Sequence, residues 1–211
     1  MIESASPDVS TWIAEWQPED EALVAARSRA AEIGVGSVDP PTGAVLKLLA
    51  TALGARTAVE LGTGAGVSTL WLLRGLTPDG VLTSVDSDGE HQRLAKQSLA
   101  DAGVASGRVR LIQGRALEVL PRLSEAAYDL VFCDAARSEN PDYLAAALTL
   151  LRPRGMVVFA GALAGGKVAE STARDSETVS MRELAKLVRD EERLSAAVIP
   201  VGSGLLAATL A

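Results

Sequence analysis

Apolar positions along this chain alternate between two periods: the three-to-four spacing of a helix with one buried face, and short continuous runs. Residues 19–33 carry the first period, with acids in the opening turn and Gly34 after the end. A second helix starts at Asp39, its cap, with Pro40 in the first turn, and stops at Gly54. The run 58–61 then enters a cluster of glycines, and a helix resumes over 67–73, with Gly75 and Pro78 behind it. Residues 82–85 read as a second strand, ended by Asp86, Ser87, Asp88 and Gly89, and 90–102 as a helix closed by Gly103. A third strand over 108–112 precedes a short helix over 116–123 that contains Pro121. The fourth strand, 128–133, is apolar without interruption after Asp129, which suits a parallel strand covered on both faces. Asn140 and Pro141 begin a helix that runs to residue 151, and 156–159 form a fifth strand. After a loop rich in Gly and Ala comes a charged helix over 177–192. Strands at 197–201 and 205–209 flank Gly202, Ser203 and Gly204, and so short a turn predicts an antiparallel hairpin.

Strand and helix alternating this regularly predict an α/β fold, a doubly wound sheet with ligands at the carboxyl ends of its strands. The 211 residues are enough for one domain, and only the first 35 or so, ahead of the first strand, qualify as a separable arm. A hydrophobic content of 48% allows a large core. With 20 Lys+Arg against 27 Asp+Glu the net charge is −7, which disfavours a nucleic-acid partner. The opening residues lack the basic and apolar regions of a signal peptide, and no apolar stretch approaches the ~20 residues of a membrane span. These features predict a cytoplasmic protein with no membrane partner. The single cysteine, Cys133, permits no internal disulfide; lying in a buried-strand pattern, it reads as a core residue.

The chemistry concentrates at VELGTGAGVS, residues 59–68. Gly62, Gly64 and Gly66 stand between a strand and a helix, where glycine lets the backbone turn tightly and approach a ligand. A dinucleotide loop needs G-x-G-x-x-G, and the place of its third glycine is here taken by Val67. The spacing found, preceded by the acid Glu60, fits a ligand that carries an amino acid and a nucleoside but no phosphate. The next strand ends in Asp86, about 20 residues on, where an acid accepts both hydroxyls of a ribose. Taken alone the glycines also allow a plain tight strand-to-helix turn; the two acids at strand ends distinguish the cases.

The chain resembles the small O-methyltransferases of the catechol and caffeoyl-CoA type. The matching stretches, in family order, are VELGTGAGVSTLWL, VLTSVDSDGEHQRLA, VRLIQGRALEVLPRL, YDLVFCDA, NPDYLAAALTLLRPRG and IPVGSGLLAATL, spanning the chain from about Val38 onward. The resemblance implies a Rossmann-like class I methyltransferase fold: a seven-stranded, mostly parallel sheet with an antiparallel last strand and helices on both faces. It divides the chain into an N-terminal helical arm, 1–35, and a methyltransferase domain dependent on S-adenosylmethionine, 36–211. By position, Val38, Glu60, Gly62, Thr63, Gly64, Gly66 and Ser68 would line the methionine end of the cofactor, and Asp86 would hold its ribose. Arg115 and Ala116, following Gly114, would lie beside the adenine, and Asp134 would face the methionyl amine. The resemblance also implies a homodimer.

Two departures concern the methyl acceptor. In the family an acid at the Asp134 position joins an Asp-Asn pair to hold Mg²⁺ or Ca²⁺; here the pair's positions, located by the following Gly165 and Gly166, are Ala160 and Gly161, which bring no side-chain oxygen. Nothing in the spacing of Glu139 or Glu170 recommends either as a substitute, so no metal is expected. The family's lysine, three residues past the strand-four acid, is Arg137 here. A guanidinium with a pKa above ~12 cannot act as base at neutral pH, but it can stabilise a phenolate or hold a carboxylate in a bidentate pair. Asp134 and Arg137 are therefore the candidates for chemistry at the acceptor, with a solvated loop arginine as the alternative for the latter.

His91, the only histidine, falls on the adenosine side and reads as structural. Trp12 and Trp16, four apart, share a helix face and either cover the acceptor pocket or anchor the arm; Trp71 reads as core. The function expected is metal-independent O-methylation of a small hydroxylated molecule, aromatic or anionic. The alternatives are a non-catalytic protein that binds S-adenosylmethionine or S-adenosylhomocysteine and, from the shared sheet and ribose acid, an NAD-dependent oxidoreductase.

Overall fold

The computed structural model describes residues 7–211. Helices α1 (Pro7–Trp16), α2 (Glu21–Glu32) and α3 (Pro40–Leu53) precede the first strand. There follow β1 (Thr57–Leu61), α4 (Val67–Gly75), β2 (Val81–Asp86), α5 (Gly89–Asp101), β3 (Val109–Gln113) and the single turn α6 (Ala116–Val119). The second half holds β4 (Tyr128–Cys133), α7 (Asn140–Leu150), β5 (Leu151–Ala160), α8 (Ser176–Asp190), β6 (Leu194–Ile199) and β7 (Leu205–Leu210).

The strands form one seven-stranded sheet in the order β3-β2-β1-β4-β5-β7-β6. β7 pairs antiparallel with β5 on one side and β6 on the other, as Phe159 opposite Leu206 and Val198 opposite Leu206 show. The remaining pairings are parallel, so the carboxyl ends of β1, β2, β3 and β4 lie side by side. Alternate residues of each central strand enter separate cores. Phe132 and Val158 join Leu46, Trp71 and Leu82 on one face; Val131 and Phe159 join Tyr143, Met181 and Val85 on the other. Helices cover both, and Trp71 and Cys133 are buried as expected.

Local chemistry sets the helix ends. Asp20, Asp39 and Asp175 each accept a backbone N–H three residues on, at 2.8–3.0 Å, and so cap α2, α3 and α8. Pro121 shortens the helix expected over 116–123: α6 stops at Val119 and Leu120–Arg122 continue as a 3₁₀ turn. β5 starts five residues earlier than its apolar run, through Arg154 at φ 67, with a register shift opposite Tyr128 and Leu130. β6 also lies earlier than expected, ending before Pro200, which has no N–H to continue a ladder.

The expected arm, 1–35, includes two helices of different standing; its first six residues lie outside the described ones. α2 buries Leu23 and Ala26 completely in the core shared with Trp71 and Phe132. α1 leaves Val9, Trp12, Ile13 and Trp16 exposed. Among the described residues no helix is long and apolar enough to cross a membrane.

Candidate functional site

At the carboxyl edge the backbone ladder continues past the strands. Gly62 N–H donates to Val85 O (2.8 Å), Asp134 N–H to Leu61 O (2.8 Å) and Gly114 N–H to Asp86 O (2.9 Å). These bonds bring three loop starts together. Gly62 has φ 93, and a Cβ there would stand 2.3 Å from the Asp134 carbonyl oxygen, so only glycine fits between β1 and β4. A cavity of about 370 Å³ opens above this junction, at the lower end of the range for small-molecule sites.

Most of the expected residues line that cavity: Val38, Gly62, Thr63, Gly64 and Ser68, Arg115 and Ala116, and Asp86 and Asp134. Asp86 is held from several sides. Its Oδ2 accepts from Gly64 N (2.9 Å), its Oδ1 from Asp88 N (3.0 Å), and His91 Nδ1 lies 3.1 and 3.2 Å from the two oxygens. Because the carboxylate accepts, Nδ1 carries the ring proton. His91, five residues after Asp86 in the first turn of α5, thus orients the ribose candidate, a role that sequence reasoning did not assign.

Two expected residues do not reach the cavity. Gly66 faces α5, where a Cβ would meet Ala95 Cα at 3.2 Å. Glu60 is fully buried beneath the loop. Its Oε2 accepts from Thr69 Oγ1 and Ser84 Oγ, both at 2.6 Å, while Oε1 makes no well-formed hydrogen bond among the described residues. Burial raises its pKa to about 7, against the nearby hydroxyls of Ser68, Ser84 and Thr69 that favour the charge. Ser84 spends its proton on Glu60, so Thr63 Oγ1 donates to Ser84 at 2.6 Å and itself accepts from Gln92 Nε2 at 3.1 Å. Glu60 positions the loop from below and is no wall of the cavity, because the pleat turns its side chain under α4.

Asp134 closes the cavity at the end of β4. Burial raises its pKa to about 6, and the Arg137 charge opposes the shift. Glu139 and Tyr143, neither expected as cofactor contacts, also line the wall. The Tyr143 hydroxyl donates to Glu139 at 2.7 Å, and Arg115 bonds the same carboxylate at 3.2 Å. Glu139 is thereby committed to neighbours, and Glu170 is exposed.

Arg137 lies off the cavity wall, beyond Asp134 and over the end of β5. A Cβ built on Gly161 would stand 2.7 Å from its Nε, 2.8 Å from Cζ and 2.9 Å from Nη2. Ala160 and Gly161 offer no oxygen, and a guanidinium already stands where their side chains would meet a cation. That donor set does not fit a divalent metal. Trp12 and Trp16, ring centroids 5.2 Å apart, line a separate apolar hollow with Pro40, Val45 and Val201.

Known proteins share this fold. The O-methyltransferase family model matches residues 20–210. A Mycolicibacterium vanbaalenii protein, provisionally named an O-methyltransferase, is 53% identical over 190 residues, 90% of this chain and 84% of its own. The O-methyltransferase TomG of Streptomyces achromogenes, involved in tomaymycin synthesis and solved with S-adenosylmethionine, superposes with TM-score 0.90 at 32% identity, over 100% of this chain and 99% of its own. An O-methyltransferase of Bacillus cereus, solved with S-adenosylhomocysteine, gives 0.89 at 29% identity over the whole of both chains. A glycine loop under Asp86 and Asp134, on a sheet of this order, agrees with what the family match states: the chain belongs to the O-methyltransferase family.

Proposed function

We propose that this protein methylates an oxygen of a small hydroxylated molecule, aromatic or anionic, using S-adenosylmethionine and no divalent metal. The observation that carries the reading is the convergence of the glycine loop, Asp86 and Asp134 on one cavity at the strand ends. The open backbone at Gly62 and Gly64, with Val38, Thr63 and Ser68, takes the methionine end; Asp86, oriented by His91, takes the ribose; Arg115 and Ala116 flank the adenine. Asp134, largely ionised at neutral pH, faces the methionyl ammonium. S-Adenosylmethionine, when bound, supplies a methyl group on a sulfonium. The residues around it need only orient the two reactants and exclude water. A homodimer and a cytoplasmic location belong to the same reading, on the family resemblance and the composition; sedimentation of a monomer at micromolar concentration refutes the first.

Calorimetry with S-adenosylhomocysteine tests the core of this reading, and absence of binding to the purified protein sinks it. A second reading, binding without turnover, is favoured by the missing oxygens at Ala160 and Gly161 and by Arg137 in place of a base. Methyl transfer to any member of a hydroxylated aromatic panel in EDTA excludes it. The oxidoreductase reading is disfavoured by Val67 in the third-glycine position, and a thermal shift with NAD but none with S-adenosylhomocysteine would restore it.

A further inference from the structure

The disagreement between the strand-five end and a metal has a specific form: a cation is present there, and it is a side chain. Arg137 is held in place from α8 by two bonds. Its carbonyl accepts from Ser180 Oγ at 2.7 Å, and its Nη1 donates to Glu177 Oε2 at 3.0 Å. Its side chain is only 34% exposed. The guanidinium lies over Gly161, its Nε, Cζ and Nη2 2.7, 2.8 and 2.9 Å from a Cβ built there, and among the described residues the edge formed by Nε and Nη2 has no hydrogen-bond acceptor. Gly161, at φ 72, leaves that edge bare. A solvated surface arginine paired with Glu177 would not need its backbone anchored or its guanidinium packed over Gly161.

We propose that the Nε–Nη2 edge of Arg137 binds the ionised oxygen of the acceptor, in the place of a divalent cation, and so restricts acceptors to acidic phenols. The inference rests on the methyltransferase reading given above. Two parallel N–H donors suit an oxyanion and hold it against the strand end beside Asp134. A metal ion lowers the pKa of a hydroxyl strongly by direct coordination, whereas a guanidinium that hydrogen-bonds the anion lowers it less. A weakly acidic hydroxyl therefore stays protonated here, and an acidic one arrives as the anion. That anion's lone pair forms the bond to the methyl carbon, and the bond to sulfur breaks with its electron pair left on sulfur. No proton acceptor or metal enters the balance. Glu177 and Ser180 act through Arg137 as positioning residues.

The test uses the full chain saturated with S-adenosylhomocysteine and 4-nitrophenol as probe, whose yellow anion reports its own ionisation. Wild-type protein binds the anion and moves its titration to lower pH, with or without EDTA. Arg137→Gln keeps its affinity for S-adenosylhomocysteine, which shows that it is folded, but binds the probe about ten-fold or more weakly and leaves its titration unmoved. Arg137→Lys recovers part of the binding. Equal binding by wild type and Arg137→Gln, loss of binding in EDTA, or no binding by wild type overturns the inference while the methyltransferase reading stands. Failure of S-adenosylhomocysteine itself to bind overturns both.

Discussion

At the scale of single residues, the consequential group is one that never meets the ligand cavity. Glu60 ionises near its ordinary value of 4.5 in the unfolded chain and at about 7 in the folded one. Between those values the folded protein holds a proton that the unfolded chain has lost. The associated stability is therefore fully present below pH ~4.5 and is lost as pH rises through 7. Moving the pKa that far corresponds to about 3 kcal/mol. Asp134, shifted from 3.8 to about 6, adds a contribution of the same sign at lower pH. Glu60→Gln is expected to flatten the fall in thermal midpoint between pH 5 and 8, leaving the smaller part due to Asp134; an unchanged slope contradicts the assignment. Asp86 and Asp134 both line the cavity because Asp86 ends β2 and Asp134 follows β4, and those boundaries are written in the apolar pattern. The sequence did not show that Glu60 points under α4, since a strand's pleat alternates without saying which face the following helix covers.

At the scale of elements, α8 matters because it holds Arg137. Asp175 caps it, accepting from Thr178 N at 3.0 Å and Thr178 Oγ1 at 2.9 Å. Asp175→Ala is expected to lower the denaturant midpoint of unfolding and to weaken acceptor binding more than S-adenosylhomocysteine binding. Parallel loss of both would show α8 to be a general support only. The sequence located this helix from its charge and period but started it later than Ser176 and ended it beyond Asp190, because capping depends on whether Asp175 or a neighbour turns back onto the N–H groups. α6 was overextended for a related reason: the apolar spacing continued through Pro121, and the missing N–H and ring clash outweighed it.

At the scale of the molecule, the alternation of strands and helices made the doubly wound class legible from the chain alone. The place of β7 was not: a hairpin of β6 and β7 is local, but its insertion beside β5 is a long-range pairing that no nearby residue announces. The N-terminal boundary is the other long-range matter, since Leu23 and Ala26 reach a core formed far along the chain. Removal of residues 1–17 is expected to leave a cooperative thermal transition, whereas removal of residues 1–35 abolishes it. A sharp transition in the shorter chain would make α2 part of a dispensable arm.

The contact between Gly161 and Arg137 also bears on ancestry. A side chain added at position 161 collides with the guanidinium, and loss of the guanidinium alone leaves the strand-five end with neither kind of positive charge. On the proposal made for Arg137, either replacement alone disturbs acceptor binding, so the two positions are coupled. Sequences related to this one should accordingly vary at the two positions together: arginine with glycine, or lysine with an oxygen-bearing residue.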